Sequence, residues 1–149
     1  MRPVLKPGAY VFCTLPVASS AAARDFYLTE VQALRNRSLL QGPAGESGES
    51  PEGFVCEMRE PEGITLVVSK AVADQHADHL KYEYVARWIT LEVHSALDAV
   101  GLTAAFARKL GDGGVSCNVV AGYFHDHIFV DEDKAPRAVE LLEELSREG

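Results

Sequence analysis

The segment from residue 87 to residue 130 contains a turn whose residue types suit the binding of a small ligand. The sequence Asp98-x-x-Gly101 joins an apolar, strand-like run to a run with helical spacing. The first backbone N–H groups of such a helix are free, so they can bind the carboxylate of a small ligand without any catalytic side chain. Glycine lets a ligand approach the backbone closely. The turn therefore predicts a small-molecule site before it predicts an enzyme.

His125 and His127 form the second candidate group. Positions two apart share one face of a strand, so both imidazoles could reach one metal ion or one substrate. Zinc and iron sites take at least three protein ligands, and His94 or Glu92 could join the pair only through the fold. We predict a hydrogen-bonded or interface pair, keep a metal site as the alternative, and expect no cofactor.

Composition and charge exclude several classes of protein. The 149 residues are 47% hydrophobic, enough for a core, and their formal net charge of −8 argues against nucleic acid or an anionic membrane as partner. The three cysteines, Cys13, Cys56 and Cys117, lie in apolar runs, which favours buried reduced thiols over metal ligands or disulfides. Without an apolar leader or membrane span in the sequence, we expect a cytoplasmic protein.

The predicted elements occur twice in the same order. In the first half they are a strand over 10–15, a helix over 21–34, strands over 54–59 and 64–69, and a short helix over 70–79. In the second half they are a strand over 87–93, a helix over 102–110, strands over 115–123 and 126–130, and a helix from about Asp133. Each half therefore has the order βαββα.

This order predicts an α+β, ferredoxin-like fold. A complete unit would be βαββαβ, so we expect each half to obtain its missing edge strand from the other. The predicted halves are residues 1–80 and 81–149, with a flexible insertion at about 36–53. Within that insertion, residues 42–53 contain no apolar side chain larger than alanine and cannot contribute much to a core.

Four motifs resemble the ACT domain, in the small stand-alone proteins that have two tandem ACT-like halves. They are YVFCTLP from Tyr10, RWITLEVHS from Arg87, HSALDAVGLTAAFARKL from His94 and GVSCNVVAGYFHDHIFV from Gly114. The resemblance covers nearly the whole chain outside the insertion. It implies a non-catalytic regulatory module that binds an amino acid between paired modules and acts alone or on a partner protein in trans.

The resemblance also implies which residues bind the ligand. The strand–helix turn contributes His94, Ser95, Asp98, Val100, Gly101, Leu102 and Thr103, and the facing strand contributes Cys117, Asn118, Val119 and Val120. Asp98 could accept from an α-ammonium group, and the Asn118 amide can both donate and accept. Ordinary helix capping by Ser95 and Asp98, and a satisfied sheet-edge amide at Asn118, are the alternatives. The first half has no Asp-x-x-Gly turn, so we expect at most one such site per chain.

Three functions remain open at this point. The first is amino-acid sensing by a non-catalytic regulatory module. The second is a small enzyme that uses the His125 and His127 pair, with or without a metal. The third is a structural or interaction protein whose ligand site has decayed.

Self-association is expected from polar and aromatic side chains of the second half. Trp88, Thr90 and Glu92 share one face of the strand over 87–93, and Tyr123 and Phe129 lie nearby in sequence. A chain this short is not expected to cover all of them, and exposed aromatic patches mark interfaces. We therefore predict a homodimer.

Overall fold

The computed structural model describes residues 1–40, 53–92 and 100–148, which form two compact units. The first unit is Pro7–Val85, and the second unit combines Met1–Lys6 with Ala86–Gly149. Each unit has an antiparallel sheet with helices, which confirms the α+β, ferredoxin-like class. No helix among the described residues is long and apolar enough to cross a membrane.

The secondary structure consists of seven described strands and five α-helices. The strands are β1 (Arg2–Leu5), β2 (Tyr10–Leu15), β3 (Phe54–Glu60), β4 (Gly63–Ser69), β5 (Val85–Glu92), β6 (Asn118–Ala121) and β7 (Asp126–Asp131). The helices are α1 (Ala21–Phe26), α2 (Gln32–Leu40), α3 (Lys70–Gln75), α4 (Leu102–Asp112) and α5 (Ala135–Glu148). A π-helical turn, Tyr27–Val31, joins α1 to α2, and a 3₁₀ turn, Glu132–Lys134, precedes α5.

In the first unit β4 lies between β3 and β2, antiparallel to both. Val11, Cys13 and Leu15, which share one face of β2, are buried in a core with α1 and α2. Ser20 begins α1 by accepting from the Ala23 N–H at 3.1 Å. The helical segment continues to Leu40, beyond the helix end predicted at Leu34, and so includes the first residues of the predicted insertion. The rest of the predicted insertion, residues 41–52, lies outside the described residues.

In the second unit the strand order is β1-β5-β7-β6, and all neighbours are antiparallel. The sequence analysis missed β1, which is only four residues long and contains Pro3. It did predict that the second half takes its missing strand from the first. This is confirmed, because β1 comes from the chain start and completes the four-stranded sheet.

The core of the second unit lies between one face of this sheet and the helices α4 and α5. Ile89, Leu91 and Ile128 supply the sheet side, and Phe106 and Leu142 supply the helix side; all five are 0% exposed. The strand predicted over 115–123 is shorter in the structure. Its first residue instead closes the end of α4, through an N–H that donates to the Leu110 carbonyl at 2.9 Å.

The opposite face of the same sheet differs from prediction. Trp88 is 7% exposed, Thr90 is 4% exposed and Phe129 is 0% exposed within the single chain. The rings of Trp88 and Phe129 stack across the β5–β7 pair, with centroids 5.8 Å apart. The expectation that these three side chains form an exposed patch is therefore wrong. Tyr123 and Phe124, in the β6–β7 turn, are exposed.

Candidate functional site

The predicted ligand turn contains an open helix start. Gly101 precedes α4 with φ of 107°, a conformation that favours glycine, and no side chain of the described residues caps the helix there. A Cβ added at Gly101 would meet no atom within 4 Å, and Val100 is 99% exposed. The Leu102 and Thr103 N–H groups belong to the first turn, where no intrahelical acceptor exists. Three predicted site residues, His94, Ser95 and Asp98, lie outside the described residues.

The predicted facing strand is the edge strand β6. Asn118 donates from Nδ2 to the Phe129 carbonyl at 3.3 Å across the β6–β7 pair, which is the satisfied-amide alternative. Cys117 lies just before β6, and burial raises the pKa of its thiol to about 11. Val119 and Val120 follow in the strand. In the described residues no side-chain hydrogen bond or ion pair joins residues 100–103 to residues 117–120.

His127 is held by hydrogen bonds to the neighbouring strand. Its Nδ1 accepts from Trp88 Nε1 at 3.1 Å, and Thr90 Oγ1 lies 3.1 Å from the same nitrogen. Because an indole nitrogen only donates, Nδ1 is the acceptor and the imidazole proton is on Nε2. Burial, followed by the charges of His125 and Lys6, lowers the pKa of His127.

His125 lies before β7, in the exposed turn, and not on a strand face shared with His127. The two imidazole centroids are 6.5 Å apart with an interplanar angle of 86°. Over the part of the chain that the structure describes, no group of three His, Cys, Asp or Glu side chains could hold a metal ion. The arrangement gives His127 a role in the sheet rather than an open ligand position.

A surface cleft of about 330 Å³ lies in the first unit, where no site was predicted. Three separate segments line it: the loop after β2, the α1 and π-helical segment, and the β3–β4 hairpin. The lining residues are Val17, Ala18, Arg24, Tyr27, Leu28, Arg59, Glu60, Gly63 and Ile64. Sequence reasoning missed the cleft because it considered each half only through the Asp-x-x-Gly pattern.

Several solved structures are similar to this chain. A Vibrio cholerae protein of unknown function, described as a possible transport protein, is 40% identical and has a TM-score of 0.69, with 95% of this chain and 86% of that chain covered. The regulatory subunit of aspartate kinase from Thermus thermophilus is 8% identical, with a TM-score of 0.57 and 97% of each chain covered. The corresponding Thermus flavus subunit is 11% identical, with a TM-score of 0.60 and 97% of each chain covered. The last two share the fold with this chain.

Family models define the assignment further. Two models of the ACT domain match, one over residues 1–87 and one over residues 83–144. The chain therefore belongs to the ACT-domain family, and its two domains follow each other in tandem. The ACT domain is the family that the sequence motifs implied. No curated protein of known function matches it.

Proposed function

We propose that the protein is a non-catalytic sensor that binds a free amino acid and regulates a partner protein in trans. The observation that carries this proposal is the open turn at Gly101. The first N–H groups of α4 have no intrahelical acceptor, and among the described residues nothing lies within 4 Å of the missing Cβ at Gly101. An amino acid would place its carboxylate on the Leu102 and Thr103 N–H groups, where the helix dipole favours negative charge.

The chemistry of the nearby side chains supports binding rather than catalysis. A cysteine nucleophile needs a lowered pKa, whereas burial raises that of Cys117 to about 11. A histidine base needs an unprotonated ring nitrogen that faces the substrate, whereas the unprotonated nitrogen of His127 is Nδ1, which Trp88 and Thr90 engage, and Nε2 holds the proton. These two groups therefore favour the sensor over the small enzyme.

A partner in trans is supported by the kind of chain that shares this fold. The Thermus thermophilus protein is described as a regulatory subunit of aspartate kinase, and its length matches this chain almost completely. By analogy with that subunit, we propose that the regulated activity belongs to a partner protein. The ACT resemblance favours a site between paired modules, so a second copy would bring the β6 edge of one chain to the Gly101 turn of another.

Calorimetric titration of the full chain with each amino acid tests the proposal. Val100→Asp places a carboxylate beside the proposed carboxylate position, and the exposure of Val100 makes the change harmless to packing. The matched control is Leu39→Asp, on another exposed hydrophobic residue, in α2. We expect one or more amino acids to bind the native chain and the control, and to bind Val100→Asp at least about tenfold more weakly. Equal affinity in all three proteins would remove the turn as the site.

A further inference from the structure

The cleft of the first unit has the size and walls of a small-ligand site. Its volume of about 330 Å³ lies at the lower end of the range for pockets that bind small molecules. Val17, Leu28 and Ile64 provide aliphatic walls on three sides. All of its lining residues belong to one compact unit, so the cleft exists without a second module or a partner chain.

The π-helical turn explains why an apolar side chain lines an open surface here. Leu28 is 60% exposed, although its neighbours Phe26 and Val31 are buried. Thr29 Oγ1 donates to the Asp25 carbonyl at 2.8 Å, a contact of the kind that bends helices. The wider turn directs Leu28 toward the cleft, and π-helical turns occur frequently at functional sites.

The lining of the cleft contains two guanidinium groups, of Arg24 and Arg59, and one carboxylate, of Glu60, so it has a formal charge of +1 in a protein of net charge −8. Arg24 Nη1 donates to the Val17 carbonyl at 2.8 Å, which holds the loop after β2 in place. Arg59 forms no side-chain hydrogen bond or ion pair among the described residues. It lies directly opposite Ile64 in the β3–β4 pair, so its side chain emerges on the same sheet face as this apolar wall.

One carboxylate lines the cleft, and another contacts a lining residue. Glu60, in the lining, accepts from Thr65 Oγ1, while Glu57 accepts from Tyr27 Oη at 2.7 Å and pairs with Arg35. Among the described residues Arg59 is the lining guanidinium without a side-chain partner, so it is the group that a ligand carboxylate would pair with. Guanidinium groups bind carboxylates through two parallel N–H donors, which fixes the orientation of the ligand.

The floor of the cleft is held by backbone packing. A Cβ added at Gly63 would lie 2.2 Å from the Leu15 carbonyl oxygen, so the β3–β4 hairpin packs directly on the end of β2. The Tyr27 hydroxyl bond to Glu57 holds the helix side. A site formed in advance loses less conformational entropy when a ligand binds.

We propose that this cleft binds a small aliphatic carboxylate. The carboxylate would pair with Arg59, and the aliphatic chain would lie against Val17, Leu28 and Ile64. The site is separate from the proposed amino-acid turn at Gly101 and does not depend on it. An amino acid and its deaminated acid both have a carboxylate and an aliphatic chain. The titration below distinguishes them by their affinities.

Titration of the full chain, followed by ¹H–¹⁵N NMR, tests the cleft with four probes: leucine, the oxo acid of leucine, isocaproate and the alcohol isohexanol. We expect at least one of the three carboxylates to shift the amide signals of Val17, Leu28 and Gly63. Isohexanol should bind at least about tenfold more weakly, because it lacks the charge that Arg59 recognises. The acid that binds with the highest affinity shows whether the natural ligand is an amino acid or a deaminated acid.

Two variants and two matched controls assign the contacts. Arg59→Gln and Leu28→Asp alter the rim and the wall, and each is expected to weaken binding by about tenfold or more. Arg37→Gln and Leu39→Asp make the same changes at exposed positions of α2 and should leave affinity unchanged. All four side chains are exposed, so the fold is expected to persist.

The outcomes separate this site from the proposed amino-acid turn. The inference is supported if a carboxylate shifts the amide signals of cleft residues in the native chain and Arg59→Gln removes these shifts. This holds even if no ligand affects the signals of residues 100–103. Shifts confined to residues 100–103, equal affinity for isohexanol, or undiminished binding by Arg59→Gln would overturn it. The absence of any cleft shift with all three acids would overturn it as well.

Discussion

His127 connects protonation to the packing of two strands. Its Nδ1 accepts from Trp88 Nε1, so a proton on that nitrogen would replace an acceptor with a second donor. Burial is the largest cause of its lowered pKa, and His125 and Lys6 act in the same direction while Asp126 opposes them. The unfolded chain therefore binds this proton more readily than the folded chain.

The expected consequence is a loss of stability at acidic pH. Because the folded pKa is lowered, the contribution of His127 to the free energy of unfolding is complete above about pH 6.5 and decreases as the pH falls below that value. Urea unfolding at a series of pH values should give a flatter profile for His127→Gln than for the native chain. His125→Gln, at an exposed position, should keep most of the slope. Identical slopes for His127→Gln and the native protein would contradict this prediction.

Gly101 and Gly111 form a matched pair of glycines at the two ends of α4. An added Cβ meets nothing within 4 Å at either residue, but Gly101 has φ of 107°, whereas Gly111 is helical. We expect Gly101→Ala to lower the free energy of unfolding by about 1–3 kcal/mol through backbone strain. Gly111→Ala should raise it by about 0.5–1 kcal/mol through helix propensity. Chemical denaturation measures both, and equal effects would contradict a conformational role for Gly101.

The sequence predicted some of the candidate site residues but not others. It found Gly101 and the residues after it because their types and spacing lie within one short segment. The contact of Trp88 with His127 joins positions 39 apart, so it depends on the β5–β7 register. The cleft combines Val17, Leu28 and Arg59 from three segments, and nothing local in their sequences marks them as neighbours.

Among the elements, β1 was not predicted from the sequence, yet it has a clear structural role. It pairs with β5 over four residues and completes the sheet of the second unit. Leu5 and Met1 pack against the core below that sheet, and Ser146 of α5 donates to the Met1 carbonyl at 2.6 Å. The strand therefore connects the sheet to the C-terminal helix.

Deletion of residues 1–5 should destabilise the second unit. The deletion removes the β1–β5 ladder and exposes part of the apolar core, so amides of β5 and α5 should exchange faster with deuterium. Arg2→Gln is the control, because its ion pair with Glu92 at 3.5 Å is exposed and contributes little, about 0–1 kcal/mol. Unchanged exchange in the deletion variant would show that β1 does not support the unit.

The element predictions succeeded where apolar runs or a helical stripe were clear. Strands β2, β4 and β7 contain short apolar, β-rich runs, and α5 has a buried stripe at helical spacing. The strand β1 was missed because a proline and only four residues give no period to detect. The β6 prediction extended too far because Val115 is apolar for a different reason: it is buried beside the end of α4.

At the scale of the whole molecule, the homodimer remains a prediction, but the surface expected to form it is now the β6–β7 turn and the edge strand β6. Tyr123 and Phe124 are 77% and 66% exposed, and their rings contact edge to face at 5.0 Å in the β6–β7 turn. Val119, in the adjacent edge strand β6, is 38% exposed. Aromatic side chains of this kind are common at the centres of protein interfaces.

Light scattering at micromolar concentration tests the homodimer. We expect the native chain to be dimeric and the double variant Tyr123→Ser with Phe124→Ser to shift toward monomer. Met58→Ser, at an exposed hydrophobic position of β3, should leave the dimer intact. A monomeric native chain would contradict the predicted association.

The measurement closest to the central claim is calorimetric titration of the purified full chain with the free amino acids. An amino-acid sensor should give saturable heat with at least one of them, together with a rise in thermal stability that grows with ligand concentration. Val100→Asp should weaken that binding, while the matched Leu39→Asp should preserve it. If none of the amino acids produces heat or stabilisation at millimolar concentration, the sensor function is wrong, and a structural ACT module with a decayed site becomes the better description.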